Sequence, residues 1–460
     1  MAPLQRFSLA VPLLAVLCAL AAMCLSARSA GAKVFDPETF TLANGMQVVV
    51  VENHRVPVVT HMVWYKVGGL DEPAGRSGIA HLLEHLMFKG TETRAPGEFS
   101  AIVARNGGEE NAFTSHDFTG FYQNVAKDRL ALVMSLEADR MRNLRLTEAQ
   151  VVPEKQVVLE ERHQRVDNDP GAVLAEQADA VQFFNTNYKR PVIGWEEEVR
   201  ALSTADVLDF YRQWYHPGNA VLVVAGDVTA EEVRKLAEAN YGTIPKSPTP
   251  AHLDLAEPTQ RSARRVVLRD DRVRQPAWSR SYLAPSYRAG AAEHAYALQV
   301  LAELIGGGPT SRLYRALVLD AQVAVSAQAW YDPLRRGPSV FSLYASPRQG
   351  AEVGAVEAAV DALIAGIVAE GITDEELTRA KRRMLAESIY ARDSLRTGAQ
   401  LLGKAYAIGM DAEVIEGWPT RIEAVTRSEV EAAARMIFDA NASVTSTLLP
   451  ADNQKQAAVQ

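Results

Sequence analysis

Cysteine is almost absent from this 460-residue sequence. The two cysteines, Cys18 and Cys24, both lie in an apolar stretch near the N-terminus. Downstream of that stretch the chain can form no disulfide and can offer no thiolate to a metal ion. Any zinc site in the remainder must therefore be built from histidine and carboxylate side chains.

The sequence also lacks an excess of positive charge. It contains 48 Lys and Arg residues against 56 Asp and Glu residues, a net charge of −8 at pH 7. Removing residues 1–32 would take away Arg6 and Arg28 and no acidic residue, so the net charge would become −10. No basic stripe is present, and nucleic acid is therefore not an expected partner.

Long apolar runs are scarce, and the one that stands out is Leu9–Leu25. It follows Arg6 and is followed by the small residues Ala30-Gly31-Ala32, which is the pattern of a secretory signal with its cleavage site. We expect an exported chain that begins at or near Lys33, periplasmic if the source is bacterial. An uncleaved membrane anchor is the alternative, although Pro12 and the small residues favour cleavage.

The length of the chain predicts more than one domain, because a single core rarely serves so many residues. A proline-containing stretch without hydrophobic periodicity interrupts the middle of the sequence and indicates an exposed linker. The predicted order is a signal at 1–32, a first domain at 33–245, a linker at 246–262, a second domain at 263–450 and a mobile tail at 451–460. The two halves show weak internal duplication.

Local patterns predict the elements within each half. Asn44-Gly45 between β-rich runs is a signal for a two-residue hairpin turn. In the first half we predict strands at 40–53, 58–69 and 219–228, a strand pair or one bent strand at 110–126, and helices at 78–88, 130–142, 147–166 and 231–240. In the second half we predict strands at 264–270, 276–284, 323–331, 339–346 and 442–449, and helices at 291–305, 310–319, 350–369, 373–392 and onward to about 438.

The stretch HLLEH at 81–85 raises the question of a metal site. Apolar residues at helical spacing, including Leu82 and Leu86, predict that one face of this helix packs on a core. His81, Glu84 and His85 share the opposite face, where histidines four residues apart can both reach one ion. From these five residues alone, two ordinary surface histidines remain an equal alternative. The second half has no such motif, and its isolated His294 is interpreted as structural or as a surface residue.

Five stretches in order resemble the pitrilysin family of inverted-motif zinc peptidases, which includes insulin-degrading enzyme and mitochondrial processing peptidase. They are GRSGIAHLLEHLMFKGT (75–91), ENAFTSHDFTGFY (110–122), VVPEKQVVLEE (151–161), YRQWYHPGNAVLVVAGDV (211–228) and GGGPTSRLYRAL (306–317). The resemblance covers nearly all of the chain after the signal. It implies an α+β fold with two related domains, each a mixed β-sheet with helices packed on one face.

The resemblance also implies a set of site residues. Zinc catalysis needs three protein ligands and one open position, and His81, His85 and Glu161 match them, with one zinc per chain. Glu154 lies about 10 Å from Glu161 along the same helix, so it is expected to orient a histidine ring instead of binding the ion. Glu160 is the alternative ligand if the register is wrong. Glu84 is the expected general base.

The same resemblance implies how a peptide is held. Asn111, Ala112 and Phe113 match an open edge strand that takes the substrate as a further strand. An ordinary interior strand is the alternative. The expected function is a secreted zinc endopeptidase acting on extended peptides or presequence-like segments. A non-catalytic assembly subunit, or a peptide-binding module, is the competing hypothesis.

The absence of an Arg/Tyr pair expected from the resemblance predicts a partner subunit. A closed chamber in this family needs two double-domain halves, and the second half supplies an Arg and a Tyr seven residues apart. The matching positions here are Val318 and Val325, which can donate no side-chain hydrogen bond. Arg312, Tyr314 and Arg315 are nearby but out of register and are interpreted as structural. We expect a heterodimer with a homologous subunit that lacks the zinc motif and supplies the Arg/Tyr pair, with a homodimer as the alternative.

Overall fold

Two β-sheets organise the chain in a computed structural model that describes residues 33–248, 250–253 and 255–451. The chain divides into two units, Met1–Val34 and Phe35–Gln460, and both β-sheets belong to the second. The predicted signal sequence, and the predicted tail beyond Ala451, lie outside the described residues. None of the helices in the described residues has the length and apolar character needed to cross a membrane.

The first sheet has six strands and is mixed. Its strands are β1 (Glu38–Thr41), β2 (Gln47–Glu52), β3 (Val58–Tyr65), β4 (Glu109–Thr114), β5 (Thr119–Ala126) and β6 (Ala220–Gly226). They lie in the order β1-β2-β6-β3-β5-β4. Strands β2 and β6 are parallel, whereas the other neighbours are antiparallel. Strand β4 is therefore an edge strand, paired through β5 alone.

Helices from the first half cover one face of this sheet. They are α1 (Ile79–Leu86), α2 (Glu98–Arg105), α3 (Leu130–Asn143), α4 (Glu148–Arg162), α5 (Pro170–Gln182), α6 (Glu196–Ala201), α7 (Thr204–Trp214) and α8 (Ala230–Asn240). Side chains alternate along a strand, so Val48 and Val50 of β2 face the helices and join one core with Leu82 and Leu83 of α1. Helix α5 is the exception and packs elsewhere.

The second sheet repeats the design with five strands. These are β7 (Arg264–Asp270), β8 (Ala277–Ala284), β9 (Ala324–Tyr331), β10 (Ser339–Pro347) and β11 (Ser443–Pro450), in the order β7-β11-β8-β10-β9. Its helices are α9 (Ala295–Gly306), α10 (Arg312–Tyr314), α11 (Val353–Glu370), α12 (Asp374–Ala391), α13 (Leu395–Ala407), α14 (Glu413–Glu416), α15 (Trp418–Ala424) and α16 (Arg427–Ile437). The predicted fold class, α+β with two related mixed sheets, is confirmed.

Each half lends a helix to the other half's sheet. Helix α13 from the second half packs on the remaining face of the first sheet, where Leu402 joins a core with Val49 and Val223. Helix α5 from the first half packs against β7 and β11, and its Leu174 shares a small core with Leu448. Each exchanged helix buries apolar surface against the sheet of the other half, so the exchange stabilises the association of the two halves.

Several local details differ from the sequence-based expectation. The β1–β2 hairpin forms, but Thr41 pairs with Gln47, so five residues separate the paired positions instead of two. Asn44 explains the wider loop, because its amide donates to the backbone oxygens of Tyr241 and Ile244. Helices α2, α5, α6 and α7 were not predicted. Helix α4 ends at Arg162 and continues as a π-helical turn over 163–167.

The described residues of segment 246–262 are mostly exposed and form no helix or strand, but three of its side chains bond to other parts of the chain. His252 Nδ1 lies 2.8 Å from the buried Asp71 carboxylate. The Glu257 carboxylate accepts three backbone N–H groups at residues 184–186. Gln260 is buried and donates to the backbone oxygen of Ser443. These bonds hold the crossing segment to both halves, and the exact domain boundaries stay a prediction.

Candidate metal centre

Helix α1 presents the motif residues because its other face is fully buried. Ile79, Leu82, Leu83 and Leu86 are at most 1% exposed and anchor the helix in the first core. The helix begins at Gly78, whose φ of 84° is in the left-handed region. A Cβ at Gly78 would also meet the backbone oxygen of residue 193 at 2.6 Å, so only glycine fits this start.

Three side chains converge on one point beside α1. His85 Nε2 lies 3.3 Å from Glu161 Oε2, and His81 Nε2 lies 3.7 Å from the same oxygen. One donor atom from each of the three residues lies within 4.8 Å of the other two, and no other such group of three donors occurs in the described residues. Donors about 2.0–2.2 Å from a tetrahedral zinc are roughly 3.3–3.6 Å apart. The residues present therefore fit zinc in donor type and spacing.

The surrounding charges also favour a cation. Burial, together with His85 and Arg165, lowers the pKa of His81 to about 3, so the ring is neutral and can offer a lone pair. Burial also works against charge on His85, yet Glu154, Glu84 and Glu161 together raise the pKa of His85. The same negative field that stabilises a proton on His85 would stabilise a divalent ion between the three ligands.

Glu154 lies behind His85 and away from the converging donors. Its Oε1 is 3.1 Å from His85 Nδ1, and its Oε2 is 2.5 Å from Lys89 Nζ. Burial opposes ionisation of Glu154, but the contacts with His85 and Lys89 lower the pKa of its carboxyl overall. The side chain can thus orient the His85 ring. Glu160 is exposed and accepts a hydrogen bond from Gln164 outside the cluster.

Glu84 lies on the same face of α1 but points at the edge strand. Its Oε2 accepts a hydrogen bond of 2.5 Å from Thr114 Oγ1, at the end of β4. Burial raises the pKa of the Glu84 carboxyl, against the lowering by the Thr114 bond. A carboxylate with a raised pKa beside a metal centre is suited to accept and return a proton. Sequence reasoning assigned no role to Thr114, since nothing local marks it.

The strand β4 is an open edge, as expected for a strand that could receive a peptide. Asn111 is exposed, while Ala112 and Phe113 are half-buried. Phe113 packs edge-on against Trp64 with ring centroids 4.9 Å apart, on the face away from α1. The amide of Ala112 donates to the Asn111 side chain. No described strand pairs with the outer side of β4, although the Ala112 amide is already bonded to Asn111. The roles of these three residues stay a prediction.

Sequence reasoning missed a buried carboxylate at the start of α1. Glu72 is 1% exposed, and its two oxygens accept the backbone N–H groups of Gly78 and Ala80, each at 3.0 Å. Burial raises the pKa of Glu72 to about 8, against the lowering by those two amides and by Arg190. Gly78 offers no side-chain cap. Glu72 therefore supplies the cap that α1 otherwise lacks.

Replacing Glu72 by glutamine is expected to lower the free energy of unfolding by about 1–3 kcal/mol. The amide keeps the size of the side chain, but its NH₂ group would face one of the two buried N–H donors. Glu98→Gln is the matched control, because Glu98 also accepts a backbone N–H at a helix start but its side chain is 40% exposed. It should change stability by less than about 0.5 kcal/mol. Equal effects in urea unfolding would contradict the capping role.

The second-half residues considered for substrate contact differ in burial and in their bonding partners. Val318 is half-buried against the second core, and Val325 is 51% exposed on the edge strand β9. Arg312 makes two bonds of 2.7 Å to Glu376, which ties α10 to α12. Burial and this ion pair agree with a structural role for Arg312.

Comparison with known proteins adds the family context. Residues 47–195 match the family model described as Insulinase (Peptidase family M16), and residues 201–384 match the one described as Peptidase M16 inactive domain. The two matches together cover most of the described chain and meet close to the start of α7. The candidate metal centre lies entirely within the first match.

Individual proteins give the same picture. A protein of Helicobacter pylori (strain ATCC 700392 / 26695) named zinc protease PqqE is 32% identical over 424 residues, which span 90% of this chain and 93% of that protein. The crystal structure of a protease from Helicobacter pylori has a TM-score of 0.84 at 31% identity and covers 90% of this chain. The periplasmic protease PqqL from Escherichia coli has a TM-score of 0.77 at 19% identity, and the match covers 48% of that longer chain.

Proposed function

Because the chain belongs to the insulinase family of peptidases (peptidase family M16), we propose that it is an exported zinc endopeptidase that hydrolyses extended peptides or presequence-like segments. The relatives named zinc proteases support a peptidase in the broad sense. The proposal goes beyond these relatives in three respects: that this chain itself is catalytic, that it is exported and that it acts with a partner.

One observation carries the proposal. His81, His85 and Glu161 offer three zinc donors at one point, and Glu84 stands beside them without joining the cluster. A non-catalytic subunit of the same fold would need neither the converging donors nor a carboxylate of raised pKa next to them. The complete set therefore favours an enzyme over an assembly or binding subunit.

The mechanism follows from the positions of these side chains. His81, His85 and Glu161 would hold a zinc ion, which would supply Lewis-acid polarisation of the substrate carbonyl and make water a better nucleophile. Glu84 takes the proton from the attacking water and returns it to the leaving amine. Thr114 holds the Glu84 carboxylate through a hydrogen bond to one oxygen, which leaves the other oxygen for the proton.

The edge strand supplies the substrate position. Thr114 ends β4, so the strand that would pair with a peptide leads directly to Glu84. A peptide added along β4 would be held mainly by main-chain hydrogen bonds, which tolerate many side chains. Loose sequence preference and a requirement for extended, unfolded peptides follow from that geometry.

The test of the proposal is hydrolysis of an unstructured peptide by the purified chain, with the metal content measured on the same sample. We expect cleavage within the peptide, loss of cleavage with a chelator and recovery on adding zinc. Stable peptide binding with no cleavage at full zinc content would instead support the peptide-binding or assembly subunit.

Export is supported by the apolar run Leu9–Leu25 followed by the small residues Ala30-Gly31-Ala32. The chain recovered from its native host should begin at or near Lys33. Mass spectrometry that finds an intact Met1, or a lipid on Cys18 or Cys24, would contradict this part of the proposal.

We also propose that the chain is the zinc-bearing subunit of a heterodimer. The longer PqqL chain shares this fold over about half its length, which is consistent with two such bodies acting together. By the resemblance to the family, Val318 and Val325 match the positions of the Arg/Tyr pair, and neither side chain can donate a hydrogen bond to an oxyanion. A homodimer that uses other donors is the alternative.

The partner hypothesis predicts weak peptidase activity for the purified chain alone. Adding a homologous subunit that lacks the zinc motif but carries the Arg/Tyr pair should raise kcat/KM by about 10²–10³, the usual value of an oxyanion donor. Replacing the partner's Arg or Tyr should remove the gain. Full activity of the chain alone, unchanged by the candidate partner, would rule the heterodimer requirement out.

A further inference from the structure

A polar pocket opens where the β4–β5 turn meets the end of β9. Its volume is about 320 Å³, and its wall includes Ser115 and His116 on one side and Trp330, Asp332 and Arg335 on the other. Lys404 of the exchanged helix α13 also lines the pocket. The pocket, called here the turn pocket, is separate from the zinc ligands but begins one residue after Thr114.

The acceptors in the turn pocket are already occupied. Asp332 accepts the backbone N–H of Leu334 with one oxygen and the Lys404 ammonium, at 2.6 Å, with the other. Asp117 is 4% exposed and accepts the hydroxyl of Tyr188. A basic ligand would therefore have to displace existing bonds, so these carboxylates do not favour it.

Unlike these carboxylates, the Arg335 side chain has hydrogen-bonding groups that are not yet used. Its guanidinium lies over the Tyr188 ring at 4.0 Å from the ring centroid, which holds the group in place. Within the part of the chain that the structure describes, the guanidinium takes part in no hydrogen bond and in no ion pair within 4 Å, although desolvation raises the pKa of the Asp179 carboxyl and the charge of Arg335 partly offsets that rise. Arginine carries five N–H donors that match a carboxylate in a two-bond fork. The turn pocket can therefore offer the N–H donors of Arg335 to an anionic hydrogen-bond acceptor.

The wall next to Arg335 suits the rest of such a ligand. Trp330 is 54% exposed, an unusual state for a large aromatic side chain at a strand end. Its indole can pack against the methylene groups of a side chain whose tip reaches Arg335. Lys404 adds a second positive charge at the pocket, partly neutralised by Asp332.

We propose that the turn pocket is a subsite for an acidic side chain of the peptide, with Arg335 as the residue that determines the preference. This inference rests on the proposed function, because it assumes that a peptide pairs with β4. A strand advances about 3.3 Å per residue. A peptide that passes Thr114 therefore reaches the pocket within a few residues of the bond beside Glu84.

The test measures peptide binding to the Glu84→Gln chain, so that turnover does not enter. A series of labelled, unstructured peptides carries one glutamate stepped through every position, and each is compared with its glutamine counterpart. At one position the glutamate peptide should bind about tenfold more tightly, the effect of a hydrogen bond to a charged group. Arg335→Gln should remove that difference. Arg335→Glu should reverse it in favour of a lysine peptide.

The control is Arg212→Gln, since Arg212 is an exposed, ion-paired arginine on α7, away from the turn pocket. It should keep the full preference for glutamate. Equal binding of glutamate and glutamine peptides at every position would overturn the inference, and so would a preference that survives Arg335→Gln. Hydrolysis by the unaltered chain is assayed separately. Absence of hydrolysis with an intact, Arg335-dependent preference would reject the peptidase proposal and leave the subsite standing.

Discussion

Replacing Glu84 by glutamine is expected to reduce peptide hydrolysis by a factor of about 10²–10⁴ while zinc stays bound, because only the proton acceptor is lost. Glutamine keeps the shape of the side chain and can still accept the Thr114 hydroxyl. Glu84 is not among the three converging donors, so zinc content should not change. The measurements are kcat/KM on an unstructured peptide and metal content on the same protein.

Glu160→Gln is the matched control for this experiment. Glu160 is a glutamate next to the ligand Glu161 but exposed and bonded to Gln164. Its replacement should leave both hydrolysis and zinc content within twofold of the unaltered chain. A Glu84→Gln protein that keeps full activity would show that another group transfers the proton. A protein that loses its zinc would show that Glu84 supports the metal instead.

His81→Ala and Glu161→Gln are each expected to remove both bound zinc and activity. Each leaves two protein donors where a stable catalytic site needs three. The fold should persist, because His81 and Glu161 lie on helix faces turned away from the first core. Metal analysis after dialysis, peptide hydrolysis and circular dichroism together make the test.

The informative result is the one for Glu161. Full zinc content in Glu161→Gln would mean that the third ligand has been misassigned. Glu154 would be the next candidate, although it lies against His85 Nδ1 and Lys89. Glu160 would be a poor one, since its side chain faces away from the cluster. Unfolding of either variant would be recognised by circular dichroism and would point to a structural role.

The metal centre was partly predictable because one portion of it is local. A helix repeats every 3.6 residues, so the spacing of His81 and His85 already placed them on one face, opposite the leucines. Glu161 was different. It comes from another helix, and only the resemblance to a family selected it over Glu160, while the tertiary structure shows which of the two faces His85. The roles of all these residues in catalysis stay predictions until the variants are measured.

Other features had no local signal at all. Nothing in the residues around Glu72 indicates that its carboxylate meets the first turn of α1. The linker was expected to be exposed because it contains prolines and no period, yet His252 and Glu257 bond to distant segments. A lack of hydrophobic periodicity indicates that a segment forms no helix or strand. It carries no information about which distant residues the segment contacts.

The sequence by itself determined which chemistry is open to this chain. Without cysteine beyond residue 24, a zinc site has to use histidine and carboxylate, and α1 has to bury its leucines and turn its histidines outward. Only the tertiary structure decided what faces those histidines. It brought Glu161 to His85, Thr114 to Glu84, and Arg335 to the turn after β4. The reason is that periodicity acts over a few residues, whereas these contacts depend on how sheets and exchanged helices pack across hundreds.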